Sequence, residues 1–585
     1  MVRDGRHLPA IRLYESVYDD EATVRASTLQ SKAVILRRVS RLPLVVALIG
    51  SALLLYWTGT ARPLWVDEEM LLLNVRDRGF LELAGPLWLD QTAPLGWLAL
   101  ERLMLLTFGR SEPALRLLPA GFGIATLVTV AWIGRRWMGI VGATVFVALC
   151  ATGQWLVFFT LELKHYSADL LGAVLIPALA AWALEDDAAF PDGASRRISR
   201  WWMAAALVQW FSNGALFVTP LCATVVAVCI ARRRDRRAIA AMLIGGAVWA
   251  ALFAANYAIV LRHASTNAYL REYWAFAFPP VAEGTSATLA WIGHWFTAFA
   301  VKPVGTGLPG LFWLAWVFGM GYAIATRRVH GAMIATVPLA ALALALLHVV
   351  PPFERVVLWT VPSMYAGIAY SADAVFGLLR FASGRLQLLK IAATAVITVV
   401  AFDVSGDIVR RGLRDLEYRP RSSNYGLDDR RSIRFLLANH RPGDAILTTH
   451  FGLVALWWYG KLSVSTADRT GRLPDGSPIF EIGYLPAEKC DGRQTQMVAA
   501  LGDRARAAVY FAFRTNVLPV GFDELVLHEA GRRWALDTYK KYEELSRIAI
   551  FDLKRAPGVA TVEALDESQS TLPEGCVTVQ PAKRW

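Results

Sequence analysis

The chain has 585 residues, of which 55% are apolar, and its mean hydropathy of +0.39 exceeds what a soluble protein of this size needs to fill its core. Its formal net charge of +12 is compatible with nucleic-acid binding, but the basic residues lie in short clusters between apolar runs, where membrane topology places them. We therefore expect a membrane protein surrounded by lipid, with no nucleic acid as a partner.

Residues 1–40 are basic and lead into an apolar run at 42–57 without a small-residue cleavage site, which is typical of an uncleaved signal anchor. Apolar runs of about 20 residues, the length that spans a hydrocarbon core, then recur up to about residue 402. They predict about eleven transmembrane helices, near 42–59, 113–134, 138–159, 167–184, 200–212, 215–231, 238–260, 308–326, 331–350, 356–379 and 386–403. The predicted domains are a cytoplasmic segment at 1–40, a transmembrane domain at 41–403 and a soluble domain at 404–585.

Alternate loops of this topology carry clusters of arginine and lysine, which mark the cytoplasmic side of a membrane. These clusters are Arg135 and Arg136; Arg196, Arg197 and Arg200; residues 232–237; Arg327 and Arg328; and Arg380, Arg385 and Lys390. The intervening loops, at about 60–112, 160–166, 261–307 and 351–355, then face outward. We expect a multi-pass protein of a bacterial inner membrane, with a cytoplasmic N terminus and an extracytoplasmic C-terminal domain.

The segment from Pro94 to Phe108 is apolar but short, and it carries Glu101 and Arg102. We interpret it as a helix at the membrane interface. A span at this point would reverse every later loop and move the basic clusters to the outside, which the orientation rule opposes.

Beyond residue 403 the sequence is polar with short apolar runs, which predicts an α/β domain. We expect helices at 430–439, 451–459 and 529–545 and strands at 445–449, 507–512 and 548–553. No phosphate loop, zinc spacing or nucleophile elbow is visible, so acceptor binding, a lid role and structural support all stay open. Cys490 and Cys576 could form a disulfide if this domain is exported to an oxidising compartment.

The first outward loop opens with three consecutive acids, in the sequence Trp65-Val66-Asp67-Glu68-Glu69-Met70. Acids are common in the first turn of an exposed helix because they interact favourably with its dipole. The same loop continues with Asp90-Gln91-Thr92-Ala93-Pro94-Leu95 and with Phe108-Gly109-Arg110-Ser111-Glu112-Pro113-Ala114-Leu115-Arg116-Leu117-Leu118-Pro119. Two further polar motifs therefore follow the acids before the chain re-enters the membrane.

This order of motifs resembles the GT-C superfamily of membrane glycosyltransferases. The acidic pair, the polar residue with Pro-Leu and the Gly-x-x-Glu-x-x-x-Arg-Leu-x-Pro pattern are similar in particular to bacterial relatives of protein O-mannosyltransferases and lipid A aminoarabinose transferases, as in glycosyltransferase family 39. The resemblance covers roughly residues 40 to 400. It implies a helical membrane fold with two juxtamembrane helices in the first outer loop, an active site at the outer membrane face and a polyprenyl-phosphate sugar donor.

By that motif, Asp67 matches the catalytic acid, Glu68 its partner and Gln91 a polar residue of the substrate site. Family members often have a charged residue or a histidine before two prolines here, whereas this chain has Gln91 and the single Pro94. The donor sugar, hexose or pentose, therefore stays open. Because polyprenyl phosphate is already a good leaving group, the acceptor hydroxyl mainly needs a base, and Asp67 is the candidate. Direct attack opposite the phosphate inverts the anomeric centre.

Basic residues at outward span ends are the candidates for binding the donor phosphate. Glu162, Lys164, His165 and Tyr166 close the third predicted span, where the resemblance implies a second polar motif of the site. A lysine that extends its charge to the interface beside a tyrosine is an equally ordinary interpretation.

Three more basic residues are candidates for the phosphate site. Arg355 opens the tenth predicted span, although a local pair with Glu354 is the alternative. Arg271 and Lys302 lie in the long loop at 261–307, where an aromatic belt explains the composition equally well.

No cluster of histidines and carboxylates has metal-ligand spacing, although acids beside a phosphate could hold a divalent cation, so metal use stays open. The expected enzyme transfers a sugar to an acceptor of the cell envelope, whether glycan, lipid or protein. A transporter or flippase of lipid-linked glycans is one alternative, but transporters usually place ionisable sites near the bilayer midplane and often show internal repeats. A polymerase or ligase of surface polysaccharide, which would use a lipid pyrophosphate, is another.

Overall fold

The computed structural model describes residues 41–185, 193–378, 385–418, 426–460, 462, 472–490, 496–513, 518–542, 545–557 and 572–582. The predicted cytoplasmic segment 1–40 lies outside these residues. The described chain forms a bundle of long apolar helices followed by a domain with a six-stranded sheet. The predicted fold class, a polytopic helical membrane protein with a C-terminal α/β domain, is confirmed.

The membrane part is built almost entirely from α-helices because a helix satisfies all of its own backbone hydrogen bonds in lipid. The helices are α1 Leu42–Gly59, α2 Val66–Asp77, α3 Leu95–Phe108, α4 Glu112–Trp137, α5 Ile140–Thr152, α6 Gln154–Thr160, α7 Tyr166–Ala183, α8 Gly193–Val208, α9 Asn213–Arg233, α10 Arg236–Asn256, α11 Arg262–Thr266, α12 Ala268–Trp274, α13 Thr285–Phe299, α14 Pro309–Thr326, α15 Arg328–Leu346, α16 Val361–Leu378 and α17 Arg385–Tyr418.

Fewer helices than the eleven predicted spans are long and apolar enough to cross a membrane. Among the described residues, eight helices are long and apolar enough to cross a membrane, and the pair α5 and α6, bent by 54°, raises this to nine at most. Two predicted spans do not meet this criterion. Helix α8 has only 16 residues and includes Arg196, Arg197 and Arg200, and α16 carries Tyr365, Tyr370 and Asp373.

Helices α2 and α3 are the two juxtamembrane helices predicted between the first two spans. Helix α3 has 14 residues, so it is about 21 Å long and too short for a hydrocarbon core of about 30 Å. One face of this helix is buried and the other is exposed, since Leu98, Glu101 and Leu105 are buried while Leu103 and Leu106 are exposed. This form agrees with an interfacial helix.

The C-terminal domain has a mixed sheet with the strand order β4-β5-β3-β1-β2-β6. Strand β1 pairs in parallel with β2 and β3, whereas the outer pairs are antiparallel. The strands are β1 Ala445–Thr448, β2 Ile479–Pro486, β3 Arg506–Phe511, β4 Ala535–Lys541, β5 Arg547–Asp552 and β6 Gly575–Pro581. The helices are α18 Asp429–Asn439, α19 His450–Tyr459, α20 Gln496–Leu501 and α21 Phe522–Gly531.

The helix predicted at 529–545 is wrong. Helix α21 ends at Gly531, and Ala535–Lys541 forms the edge strand β4, which pairs antiparallel with β5. The two lysines at the end of β4 suit an exposed sheet edge, but their charge hides the strand from an apolar-pattern prediction. Strands β2 and β6 were not predicted either. Cys490, which follows β2, and Cys576 of β6 form a disulfide with a Cα–Cα distance of 5.9 Å.

The C-terminal domain rests directly on α2 and on the start of α4. Tyr459 Oη of α19 accepts from the Leu64 amide at 3.0 Å and donates to Glu112 Oε1 at 3.2 Å. Arg430 of α18 donates through Nη1 to Glu112 Oε1 at 3.2 Å and to the Ala61 carbonyl at 2.8 Å. Helix α2 is therefore held between the helical bundle and the domain. We call the end of the bundle that carries this domain the domain end.

Candidate functional site

The first turn of α2 is anchored by Glu68, whose side chain is fully buried. Its Oε2 accepts from the Trp65 amide at 2.7 Å, and its Oε1 accepts from the Leu163 amide at 2.8 Å. Arg116 of α4 donates to both carboxylate oxygens, with an Nη2–Oε2 distance of 2.8 Å. Burial raises the pKa of Glu68, but the charges of Arg116 and Arg62 outweigh burial and the net shift is downward. Glu68 is thus an ionised anchor of the helix.

Asp67, the neighbour of Glu68, faces a different part of the molecule. Its Oδ2 accepts from Nη2 of Arg355 at 3.3 Å, across 288 residues of sequence. The two side chains are 28% and 21% exposed, so both are accessible from solvent. The predicted alternative for Arg355, a local pair with Glu354, is not what the structure shows. Glu354 Oε2 instead pairs with Lys302 Nζ at 2.8 Å.

Lys164 joins this site from the segment between α6 and α7. It is buried, and its Nζ donates to Oε1 of Gln91, which precedes α3. Burial lowers the pKa of Lys164, while the neighbouring charge of Asp67 acts in the opposite direction. The structure therefore brings three sequence-predicted residues, Asp67, Gln91 and Lys164, to one place from separate segments.

Glu162 is the second carboxylate at this place. It is buried, and its Oε1 has no hydrogen-bond partner among the described residues. Burial, together with the negative charges of Glu68 and Asp67, raises the pKa of Glu162 to about 7, although Arg62 and Arg355 oppose the shift. A carboxyl group that titrates near neutrality thus lies beside Asp67 and Arg355.

His165 and Tyr166 contact side chains of the neighbouring helices. His165 Nε2 is 3.2 Å from Asn213 Nδ2 and 3.5 Å from Asp169 Oδ2. Burial, with the adjacent charge of Lys164, lowers the pKa of His165 to about 3, so the ring is neutral at physiological pH. Tyr166 packs edge-on against Phe159, with ring centroids 5.7 Å apart. These two residues support the backbone that carries Glu162 and Lys164.

Of the two basic residues predicted in the long loop, Lys302 contacts residues near the site, whereas Arg271 does not. Lys302 lies over the ring of Trp155, with Nζ 4.2 Å from the centroid, and its partner Glu354 precedes Arg355. Arg271 is exposed on the short helix α12, and among the described residues it makes no side-chain contact with Asp67, Lys164 or Arg355. The loop nevertheless reaches the site, since Asn267 Nδ2 donates to Asp90 Oδ1 at 2.7 Å.

Two arginines of the site were not predicted as functional residues. Arg116 ends the Gly-x-x-Glu-x-x-x-Arg pattern, so the sequence contained a signal for it, and its Nη1 also donates to the Arg62 carbonyl. Arg62 donates through Nη2 to the Leu161 carbonyl at 3.1 Å and lies over the ring of Phe158. No sequence pattern singled out Arg62. Together these residues tie the first loop to the segment that carries Glu162 and Lys164.

The described residues contain no group of three or more histidine, cysteine, aspartate or glutamate side chains arranged to hold a metal ion. Of the three consecutive acids, only Asp67 reaches the site, because Glu68 binds Arg116 and Glu69 is buried on another side of α2. The site therefore contains the accessible carboxylate of Asp67, the carboxyl group of Glu162 and two cations, Lys164 and Arg355. These residues lie at the ends of membrane helices. This set can bind a phosphate and accept a proton next to it.

No family model matches the chain, and no curated protein matches it in sequence. Among solved structures, the chain is similar to ArnT from Cupriavidus metallidurans in the apo state, with 11% identity, a TM-score of 0.49 and coverage of 88% of this chain and 99% of that one. The same ArnT bound to undecaprenyl phosphate gives 12% identity, a TM-score of 0.48 and coverage of 87% and 97%. AglB, the archaeal oligosaccharyltransferase from Archaeoglobus fulgidus in complex with an inhibitory peptide and a dolichol-phosphate, gives 11% identity, a TM-score of 0.44 and coverage of 85% and 72%.

Proposed function

We propose that the chain is a membrane glycosyltransferase that moves a sugar from polyprenyl phosphate to an acceptor hydroxyl of the cell envelope, with inversion at the anomeric carbon. The observation that carries this proposal is the contact between Asp67 and Arg355 at 3.3 Å, with Lys164 and Glu162 beside it. A base and phosphate-binding cations are what such a transfer needs, because the leaving group is already a phosphate.

In the proposed reaction the donor phosphate binds Arg355 and Lys164. A phosphate competes with Asp67 for Arg355, since guanidinium groups bind phosphate through paired hydrogen bonds. Asp67 is then available to accept a proton from the acceptor hydroxyl. The hydroxyl oxygen forms a bond to the anomeric carbon, and the bond from that carbon to the phosphate oxygen breaks. The electron pair of the broken bond stays on the phosphate, whose added charge Arg355 and Lys164 stabilise.

Glu68 has a positioning role in this proposal. Among the described residues, its hydrogen bonds are to Arg116 and to the amides of Trp65 and Leu163. It therefore ties the first turn of α2, which carries Asp67, to the segment that carries Lys164. This differs from the catalytic partnership that the sequence resemblance implies for Glu68.

We also propose that the domain end of the bundle is extracytoplasmic in a bacterial inner membrane. The basic pair Arg135 and Arg136 lies at the opposite end of α4, where Arg136 contacts Glu185 after α7. Clusters of this kind remain in the cytoplasm. The donor would then be used after its sugar has reached the outer leaflet, and the acceptor would be an exported molecule.

The proposal is tested by measuring polyprenyl-phosphate sugars by mass spectrometry in cells that lack the protein. The cells are complemented with wild type, with Asp67→Asn or with Asp77→Asn. Asp77 is a matched control because it lies on the same helix and pairs with Arg76, away from the site. We expect one lipid-linked sugar to accumulate without the protein and with Asp67→Asn, and to be cleared by wild type and by Asp77→Asn. Loss of a general base lowers the turnover number by about 10²- to 10⁴-fold.

Each other outcome has a definite meaning. If Asp67→Asn clears the sugar as well as wild type does, Asp67 is not the base. If no lipid-linked sugar changes in cells that express the protein, the transferase proposal is overturned. That outcome would favour the transporter and polysaccharide-polymerase alternatives.

A further inference from the structure

Glu69 is a buried acid that the proposed reaction does not use. It lies on α2, two residues after Asp67, and its side chain is fully buried. Neither of its carboxyl oxygens has a hydrogen-bond partner among the described residues. An ionised carboxylate without a partner is strongly unfavourable in such a place.

The groups around Glu69 are mostly acids. Asp429, in the first turn of α18, has the largest effect on it among the neighbouring charges, followed by Glu68 and Glu112. Tyr459 of α19 and Tyr510 of β3 also face this place. Two arginines near the contact between the domain and α2 are bound to other acids, since Arg116 pairs with Glu68 and Arg430 pairs with Glu112. Among the described residues, no basic side chain forms an ion pair with Glu69.

Asp429 is the acid that the C-terminal domain brings to this place. Its side chain is fully buried, its Oδ1 accepts from Tyr510 Oη, and its Oδ2 has no hydrogen-bond partner among the described residues. The preceding Asp428 also adds negative charge, although its Oδ1 caps α18 through the Arg431 amide. Docking of the domain thus places one partly unpaired acid near another.

The protonation of this pair follows from its surroundings. Burial, together with the charges of Asp429, Glu68 and Glu112, raises the pKa of Glu69 well above its ordinary value. Burial, against the hydrogen bond from Tyr510, raises the pKa of Asp429 to about 7. A raised pKa in the docked state means that docking is favoured at low pH and loses this contribution as the pH rises through the raised value.

We propose that the C-terminal domain stays docked on helix α2 only while Glu69, buried near Asp429, carries a proton, so that the docking, and with it the placement of Asp67, depends on pH. The two acids are positioning residues, since neither reaches the Asp67 and Arg355 site. This inference does not rest on the transferase activity. It follows from the contact between the domain and α2.

The test is hydrogen–deuterium exchange of the purified full-length protein in lipid nanodiscs, at about pH 6 and about pH 8.5, after correction for the intrinsic effect of pH on exchange. In the wild type, peptides covering 66–77 and 429–439 should exchange about tenfold faster at the higher pH, the change expected for one unit of pKa. In Glu69→Gln this pH dependence should largely disappear, because the amide is neutral at both values. Asp429→Asn should act in the same direction and serves if Glu69→Gln does not fold.

A matched control is Glu481→Gln, which removes a partly exposed carboxylate of the same domain that pairs with His450. Its exchange should depend on pH as in the wild type. The proposal is overturned if wild-type exchange in these peptides is independent of pH, or if both variants keep the full dependence. Because exchange needs no substrate, these outcomes are separate from success or failure of the transferase proposal.

Discussion

Arg116 and Glu68 form a buried ion pair between span α4 and the first turn of α2, with Nη2 2.8 Å from Oε2 and both side chains at most 2% exposed. Arg116 also donates to the carbonyls of Arg62 and Pro63. The pair therefore joins the segment after span α1, the juxtamembrane helix α2 and span α4 through one guanidinium group. It holds the backbone next to Asp67.

Replacing Arg116 by methionine should strongly destabilise the protein. The change leaves Glu68 as a buried charge without its main partner, which typically lowers the free energy of unfolding by about 3–5 kcal/mol. Thermal unfolding of the purified protein in detergent measures this loss of stability. The control is Arg136→Met, which breaks an ion pair with Glu185 that is 46% and 28% exposed and should change stability by about 1 kcal/mol or less. An equal loss of stability in the two variants would show that other groups stabilise the Glu68 charge when Arg116 is absent.

Arg355→Met and Lys164→Met should each weaken binding of the donor. A hydrogen bond to a charged group contributes about 1.5–3 kcal/mol, so the KM for the polyprenyl-phosphate sugar should rise by about 10- to 100-fold. Steady-state kinetics of the purified enzyme with varied donor check this. Arg271→Met is the comparison, since Arg271 is exposed and, among the described residues, forms no ion pair with Asp67. If KM rose as much with Arg271→Met as with Arg355→Met, Arg271 would also be assigned to the phosphate site.

Donor binding should weaken as the pH rises through about 7 because of Glu162. Burial, with the charges of Glu68 and Asp67, raises the pKa of this group to about 7, so it is neutral below that pH and negative above it. A new negative charge beside the donor phosphate repels it. The KM for donor, measured from about pH 6 to about pH 8.5, should increase in the wild type and stay nearly constant in Glu162→Gln. A profile that Glu162→Gln leaves unchanged would assign the titration to another group.

The disulfide between Cys490 and Cys576 should stabilise the C-terminal domain. It closes a segment with a sequence separation of 86 residues, and the chain-entropy model gives about 4–5 kcal/mol for a loop of this length. The double variant Cys490→Ser with Cys576→Ser should lower the melting temperature of the domain. A second measurement is alkylation in intact cells, where both thiols should react only after reduction. Free thiols at both positions would argue against an oxidising compartment, and so against the proposed orientation.

Much of the membrane architecture could be predicted from composition alone. Runs of about 20 apolar residues must lie in lipid and must be helical there, because no other local structure satisfies the backbone in a bilayer. Helix α3 was separated from the spans by its length and by Glu101 and Arg102. Helix α8 shows the limit of this reasoning, since its 16 residues with three arginines fall short of a span.

The C-terminal domain was predicted less accurately because its strands depend on their neighbours. Strand β1 is a short apolar run, buried throughout, and was predicted from its own residues. Strand β4 is half-exposed and charged, and pairing with β5 rather than its own pattern makes it a strand.

For the candidate site, the sequence by itself determined that Asp67 follows a membrane span as the first of three acids and that Lys164 and Arg355 lie at other span ends. Only the tertiary structure decided which partner each charge has. Asp67 contacts Arg355 across 288 residues, Glu68 binds Arg116, and Glu354 binds Lys302 rather than its neighbour Arg355. The reason is physical: hydropathy is a property of a local segment, whereas charges near a membrane pair with whatever opposite charge the packing of distant helices brings within a few ångströms.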